Sequence, residues 1–270
     1  MTNVKTTAPA GLTHRRAMSK WAIRIISIAV VLGSWQLIAA YYVKNELIVP
    51  TPQGIISGFS SLVAQNILPP PLAQTLWSFA VGFIISVVIG IPVGAVMARS
   101  RIIENTLDPW VNAFYTTPYV ALVPLFIIWL GNSQFLVQVF VVILAVIFVI
   151  IINSFQGFKD ANKSLVETGR AFGMSGFSLF RKVVVPSSFP YIVAGIRLGI
   201  GRGLIGAIVA EMFLQLVGLG YLIGYYASFF QVGDVMAIVI TIGLIGMALT
   251  EILKYIEAKV SIWRVGATGG

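Results

Sequence analysis

The residues able to do chemistry in this chain are few, and the most unusual of them are charges set inside apolar sequence. Arg197, Arg202 and Glu211 interrupt a run from about Tyr191 to Phe213 that is otherwise mostly apolar or small. A charge at the centre of a bilayer costs on the order of 2.5–3.5 kcal/mol on insertion scales, so each needs a partner or a function. Arg197 lies about one helical turn from the end of its run and can reach outward along its aliphatic stem, so its expected role is anchoring. Arg202 is deeper. Successive helical residues turn by about 100°, so Arg202 and Glu211 face opposite sides of one straight helix and do not pair with each other. Each then calls for a second subunit, a carbonyl, water or a transported molecule. Two readings of Arg202 stand. It borders a polar path and favours an anion, or it is held in a structural ion pair or carbonyl clamp.

The chemistry that is missing narrows the class. The glycines lie in apolar runs and lack the Gly-Lys-Ser/Thr of a phosphate-binding loop. There is no cysteine, and the single histidine, His14, sits in a basic stretch where a solvated side chain is expected. No catalytic set, metal site or cofactor is expected, and any ATP hydrolysis must come from a separate chain. The composition is 58% hydrophobic and only 10% charged over 270 residues, with mean hydropathy +0.93. Soluble domains carry about a quarter charged residues, so this is an integral membrane protein. The net charge of +9 does not point to nucleic acid, because the basic residues flank apolar runs and form no patch interleaved with aromatics.

The expected elements are all helical. Residues 1–20 read as a loose basic tail, and 21–270 as the transmembrane domain. The run from Ile23 to Val43 is too long for a typical signal-peptide core and reads as an uncleaved first span. Pro50-Thr51-Pro52 and Pro69-Pro70-Pro71 bracket a short amphipathic segment carrying Ile55, Ile56, Phe59, Leu62 and Val63, expected on the membrane surface. Leu72 to Ala98 is the second span. There Gly82, Ser86, Gly90, Gly94 and Ala98 recur every four residues and offer close approach to another helix, and Pro92 is expected to kink it. Trp110 to Leu130 is the third, interrupted by Pro118 and Pro124, with Gly131-Asn132-Ser133 as a turn. Near its start Asn112, Tyr115, Thr116 and Thr117 either line a polar path or form an interfacial belt, the plainer reading. Phe135 to Ile152, Tyr191 to Phe213 and Val235 to Tyr255 complete six spans. Gly195, Gly199, Gly203 and Ala207 form a second small-residue ridge. Gly218, Gly220 and Gly224 read as a flexible loop, and Gly233-Asp234 as a cap.

Charge sets the topology. With the amino terminus inside, the inner segments hold nearly all the lysines and arginines, from Lys5 and Arg15 through Arg99, Lys159 and Lys182 to Arg264, whereas the outer segments hold only Lys44. That asymmetry puts both termini, and the polar segment near 155–187, in the cytoplasm. This segment carries Lys159, Lys163, Arg170, Arg181 and Lys182 with Asp160 and Glu167. Residues 160–172 read as a short helix stopped by Gly173, and Ser175 as the cap of a second helix through Phe177 and Phe180.

Glu167, Gly173 six positions on, Pro186, and then Gly195-Ile196-Arg197-Leu198-Gly199 resemble the signature loop of ATP-binding-cassette (ABC) importer permeases. Thr168-Gly169 stands where that loop usually has two alanines. Pro50-Thr51-Pro52, Ile91-Pro92-Val93-Gly94, Leu107-Asp108-Pro109, Thr117-Pro118, Pro124 through Gly131, and Gly218-Leu219-Gly220-Tyr221 are similar to the nitrate/sulfonate/taurine branch, although the arginine often found near Ser78 is missing. The resemblance implies the type I importer permease fold in the bacterial inner membrane. It implies a second permease copy as a homodimer, two cytoplasmic ATPase subunits that bind the ATP, and an extracytoplasmic substrate-binding protein. It places Glu167, Arg170, Ala171, Phe172, Gly173, Met174, Ser175 and Phe177 against the ATPase. Tyr115, Thr116, Arg202 and Glu211 are candidates for the translocation path. A small anion such as a sulfonate, taurine or nitrate is the implied substrate. An ion-coupled secondary transporter would want carboxylates at midspan, and only Glu211 is a candidate, near one end. A non-transporting scaffold would use the cytoplasmic segment alone.

Overall fold

A computed structural model describes residues 11–43, 45, 47–131, 133–161 and 163–260. Its elements are helical throughout, as expected. Helix α1 (Gly11–Leu37) passes into a π-helical stretch, Ile38–Val43. The helix therefore begins inside the expected tail, of which residues 1–10 lie outside the described residues. Ile23, Ile25, Ile26, Ile28, Val30 and Val31 are all about 60% exposed, as a peripheral helix facing lipid would be. Helix α2 (Pro52–Ala64) is the expected short amphipathic helix. Thr51 accepts a hydrogen bond from the Gly54 N–H and caps it, while Ile55 and Leu62 are buried and Ile56 is exposed.

The core is built from three long helices: α3 (Pro69–Arg99), α6 (Gln134–Lys159) and α9 (Val185–Leu214). The proline triplet opens α3 rather than breaking the chain, because a proline in the first turn gives up an N–H that has no helical partner anyway. The four-residue ridge behaves as the spacing requires. Gly82, Ser86, Gly90 and Gly94 are buried, and a Cβ on Gly82, Gly90 or Gly94 would stand 2.8 Å from Val142, Ile150 and Phe155 or Ser154 respectively. The contacts advance together along both chains, so α3 and α6 run parallel. The second ridge lays α9 antiparallel on α6, through Gly195 on Asn153 and Gly199 and Gly203 on Val146. Phe79, Val142, Val146, Ile150, Ile200 and Leu204 fill the space between.

Four expectations are corrected. The third span is broken: α4 (Arg101–Thr116) starts nine residues early and contains Pro109, and a 3-10 turn leads into α5 (Val123–Leu130). The two arms meet at 82°. Pro118 cannot donate to the ladder of α4 and pushes Thr117 to extended geometry, with φ −65° and ψ 131°. The described residues thus hold five helices long enough to cross a membrane, or six if this bent pair is one span. Second, α7 (Lys163–Ala171) is separate, but α8 (Gly176–Leu179) runs through a π-helical stretch (Phe180–Val184) straight into α9. Ser175 flanks α8 without a side-chain capping bond. Third, the glycines after α9 form no loose loop: Gly218 opens helix α10 (Leu219–Ser228), which contains Gly220 and Gly224. Fourth, α11 (Val232–Val260) begins before Gly233-Asp234, so Asp234 lies in its first turn rather than capping it.

Candidate functional site

The elbow between α6 and α9 is built by α7 and α8. Helix α7 stops because Gly173 adopts φ +78°, which a residue with a side chain rarely does. The Met174 N–H donates to the Gly169 carbonyl and the Gly173 N–H to the Arg170 carbonyl. This paired closure satisfies two carbonyls left open at the helix end. Gly169, the departure from the usual alanine, is buried against α8, where a Cβ would stand 2.8 Å from Leu179 Cδ1. That atom is the end of a flexible side chain, so Gly169→Ala is expected to be tolerated. It would gain helix propensity of about 1 kcal/mol and leave thermal stability equal or slightly raised. Around this corner Glu167, Arg170, Ala171 and Ser175 are exposed, Met174 is half-buried, and Phe172 and Phe177 are 80% and 72% exposed. Two phenylalanines bared on an otherwise polar elbow form an apolar feature of the kind that marks an interaction site.

Both ends of the elbow are tied to other helices. Lys159, the last residue of α6, pairs with Glu104 in the first turn of α4 and lies over the Phe155 ring. Arg197 in α9 donates to Glu257 in α11 at 2.9 Å. The Ser188 hydroxyl donates to the Gly157 carbonyl at 2.7 Å, holding the start of α9 against α6. Sequence reasoning missed Glu104: its partner is 55 residues away, and no local spacing signals such a pair.

Arg202 and Glu211 are indeed not partners, and the structure separates their surroundings. The Arg202 guanidinium lies over the Tyr115 ring, 4.5 Å from its centroid, and Nη2 donates to the Tyr115 hydroxyl at 3.0 Å. Among the described ion pairs none includes Arg202. Thr116 is exposed and its hydroxyl donates back to the Asn112 and Ala113 carbonyls. Asn105, Asn112 and Thr116 share one exposed face of α4, at helical spacings of seven and four, and Tyr115 flanks it. Glu211 is wholly buried. It accepts from the Thr75 hydroxyl at 2.8 Å and from the Gly220 N–H at 2.9 Å, while the Leu219 N–H donates to Thr75 Oγ1 at 3.0 Å. Thr75 was not singled out for this by sequence, because its contact with Glu211 joins residues 136 apart, and the Gly218–Gly220 turn, nearer in the chain, reads as a loop by its glycines.

A bundle of long apolar helices with a broken third span, an elbow bared on one side and an arginine set within an apolar helix defines a polytopic membrane protein. Residues 86–261 match the family described as binding-protein-dependent transport system inner membrane component, and the chain belongs to that family, in its sulfonate/taurine branch. It is 29% identical over 244 residues to the putative aliphatic sulfonates transport permease protein SsuC of Bacillus subtilis, covering 90% of this chain and 88% of that one. It is 24% identical over 263 residues to the taurine transport system permease protein TauC of Escherichia coli, covering 93% and 95%. The fold matches a chain of the inward-facing MetNI methionine ABC transporter with TM-score 0.51 at 23% identity, over 70% of this chain and 90% of that one. The protein is therefore the transmembrane subunit of an ABC importer with the type I fold.

Proposed function

We propose that the chain forms half of the path for a small anion of the sulfonate class and is driven by a separate cytoplasmic ATPase gripping the elbow at Phe172 and Phe177. A second copy completes the path, an external binding protein delivers the substrate, and both termini lie in the cytoplasm. One observation carries the substrate class: Arg202 is held by Tyr115, which flanks the exposed α4 face that carries Asn112 and Thr116. A polar helix face at membrane depth is costly against lipid and is stable against water. A cation at the edge of such a face attracts anions and repels cations. The relatives' printed substrates, aliphatic sulfonates and taurine, share an anionic sulfonate group, which taurine carries together with an ammonium. Glu211, wholly buried and holding hydrogen bonds from Thr75 and Gly220, is in this reading a structural acid rather than part of the path.

The test is uptake into vesicles containing the complex with its ATPase and binding protein, using ethanesulfonate, taurine and nitrate against neutral ethanesulfonamide. Arg202→Gln is expected to lower ethanesulfonate uptake by about tenfold or more, as loss of a charge-assisted hydrogen bond of about 1.5–3 kcal/mol would, and Arg202→Lys to restore part of it. Equal losses for ethanesulfonate and the sulfonamide would remove the selectivity role.

A further inference from the structure

Helix α4 is in contact with both functional regions at once. Its first turn holds Lys159 through Glu104, at the root of the elbow. Its last turn holds Arg202 through Tyr115. Eleven residues separate Glu104 from Tyr115, a span of roughly 16 Å along one helix. Between those ends one face of α4 packs through Ile103, Leu107 and Val111 on α3 and α6, the face carrying Asn105, Asn112 and Thr116 is exposed, and Thr117 ends the helix at the 82° corner. A helix seated along one face and bonded at both ends shifts as a rigid element, so a displacement at one end is felt at the other.

The contact at Arg202 is also of an unfinished kind. A guanidinium prefers an ionised acceptor, which binds it more strongly than a neutral hydroxyl and with fork geometry. The Tyr115 hydroxyl offers one neutral acceptor and the ring adds a cation–π contact. A sulfonate offers three oxygens and a full charge.

We propose that Tyr115 is a stand-in ligand for Arg202. An arriving anion displaces it, and α4 carries that displacement to the elbow through the Glu104–Lys159 pair. The proposal rests on the reading of Arg202 as an anion contact given above. It makes Tyr115 a positioning and specificity residue and Glu104 part of the signal from substrate to ATPase. A neutral solute that cannot compete for the guanidinium leaves Tyr115 seated and sends no signal.

The experiment measures ATP hydrolysis by the complete complex in vesicles, titrated with ethanesulfonate, nitrate and ethanesulfonamide. Tyr115→Phe keeps the ring and removes the competing hydroxyl. It is expected to lower the ethanesulfonate concentration for half-maximal stimulation by about tenfold or more, the order expected from removing one competing hydrogen bond to a charged group. Glu104→Gln is expected to reduce the ratio of stimulated to unstimulated hydrolysis several-fold while the half-maximal concentration stays within twofold. Glu104→Lys combined with Lys159→Glu should restore the ratio. An unchanged or raised half-maximal concentration in Tyr115→Phe overturns the stand-in role, and an unchanged ratio in Glu104→Gln overturns the linkage. If neither anion stimulates hydrolysis more than the sulfonamide does, or if Arg202→Gln responds like the parent chain, it is the anion reading of the site that fails. A stimulated parent chain with an inert Tyr115→Phe sinks this inference alone.

Discussion

A Phe172→Asp chain is expected to insert and assemble normally in the membrane, yet to lose substrate-stimulated ATP hydrolysis and at least about nine-tenths of uptake. The magnitude follows from the side chain's position. Phe172 is 80% exposed, so nothing in the permease itself depends on its ring. Seated in a partner's groove, the ring would contribute about 1.5–3 kcal/mol of burial, which is tenfold or more in occupancy, and a carboxylate there would cost further. Gly173→Pro should do the same by another route. Proline fixes φ near −65° and has no N–H. The native corner needs φ +78° and uses that N–H to close on the Arg170 carbonyl. Gly173→Ala separates the two effects: the open space around Gly173 accepts a methyl group, and only the positive φ is strained, at about 1 kcal/mol. Protease protection and gel filtration report insertion and assembly. Hydrolysis and uptake in vesicles report coupling. Full coupling in both Phe172→Asp and Gly173→Pro would mean the ATPase grips elsewhere.

What could be read from the sequence is what depends on local periodicity. The ridge at Gly82, Ser86, Gly90 and Gly94 repeats every four residues, and in the fold it lies along α6. Gly173 ends α7 because a positive φ is a property of one residue, visible in its type. The mutual independence of Arg202 and Glu211 followed from nine residues of helical rotation, and their separate partners agree with it. The rest depended on contacts between distant residues. Apolar periodicity marks only the second half of helix α4, because its first half is polar and its stability comes from Ser100 at the cap and from packing of Val111, Ile103 and Leu107 on α3 and α6. Gly218, Gly220 and Gly224 suggested looseness because three glycines in seven residues usually mean a loop. Two of them are glycines for the opposite reason, a wall too close for a side chain. The Tyr115 partner of Arg202 and the Thr75 partner of Glu211 lie 87 and 136 residues away, and no spacing rule reaches that far.

The same wall gives the largest expected effect on stability. A Cβ on Gly218 would stand 2.1 Å from the Glu211 carboxyl carbon, and Gly218 has φ +99°. On Gly220 it would stand 2.2 Å from the Ile208 carbonyl oxygen. Backbone atoms of α9 cannot swing aside as a side-chain tip can. Gly220→Ala must therefore push α10 away and break the bond from its N–H to Glu211. That leaves a buried carboxylate with one fewer donor, a penalty of about 1–3 kcal/mol beyond the steric one. Gly218→Ala adds backbone strain of about 1–3 kcal/mol. Either change is expected to lower the detergent unfolding midpoint by several degrees and to yield little assembled protein. Glu211→Ala should fall in the same range, since the Gly220 N–H then loses its acceptor and the Thr75 hydroxyl loses its contact across the bundle. Gly224→Ala is the control: it sits in the same short helix with nothing within 4 Å, so it should unfold at or slightly above the parent midpoint. If Gly220→Ala and Gly224→Ala melt together, α10 is not held against α9 by this carboxylate. If Gly220→Ala alone collapses, this end of the bundle is fixed by a helix amino terminus clasped on a buried acid, and Glu211 has a structural duty that leaves Arg202 as the charge free to meet a substrate.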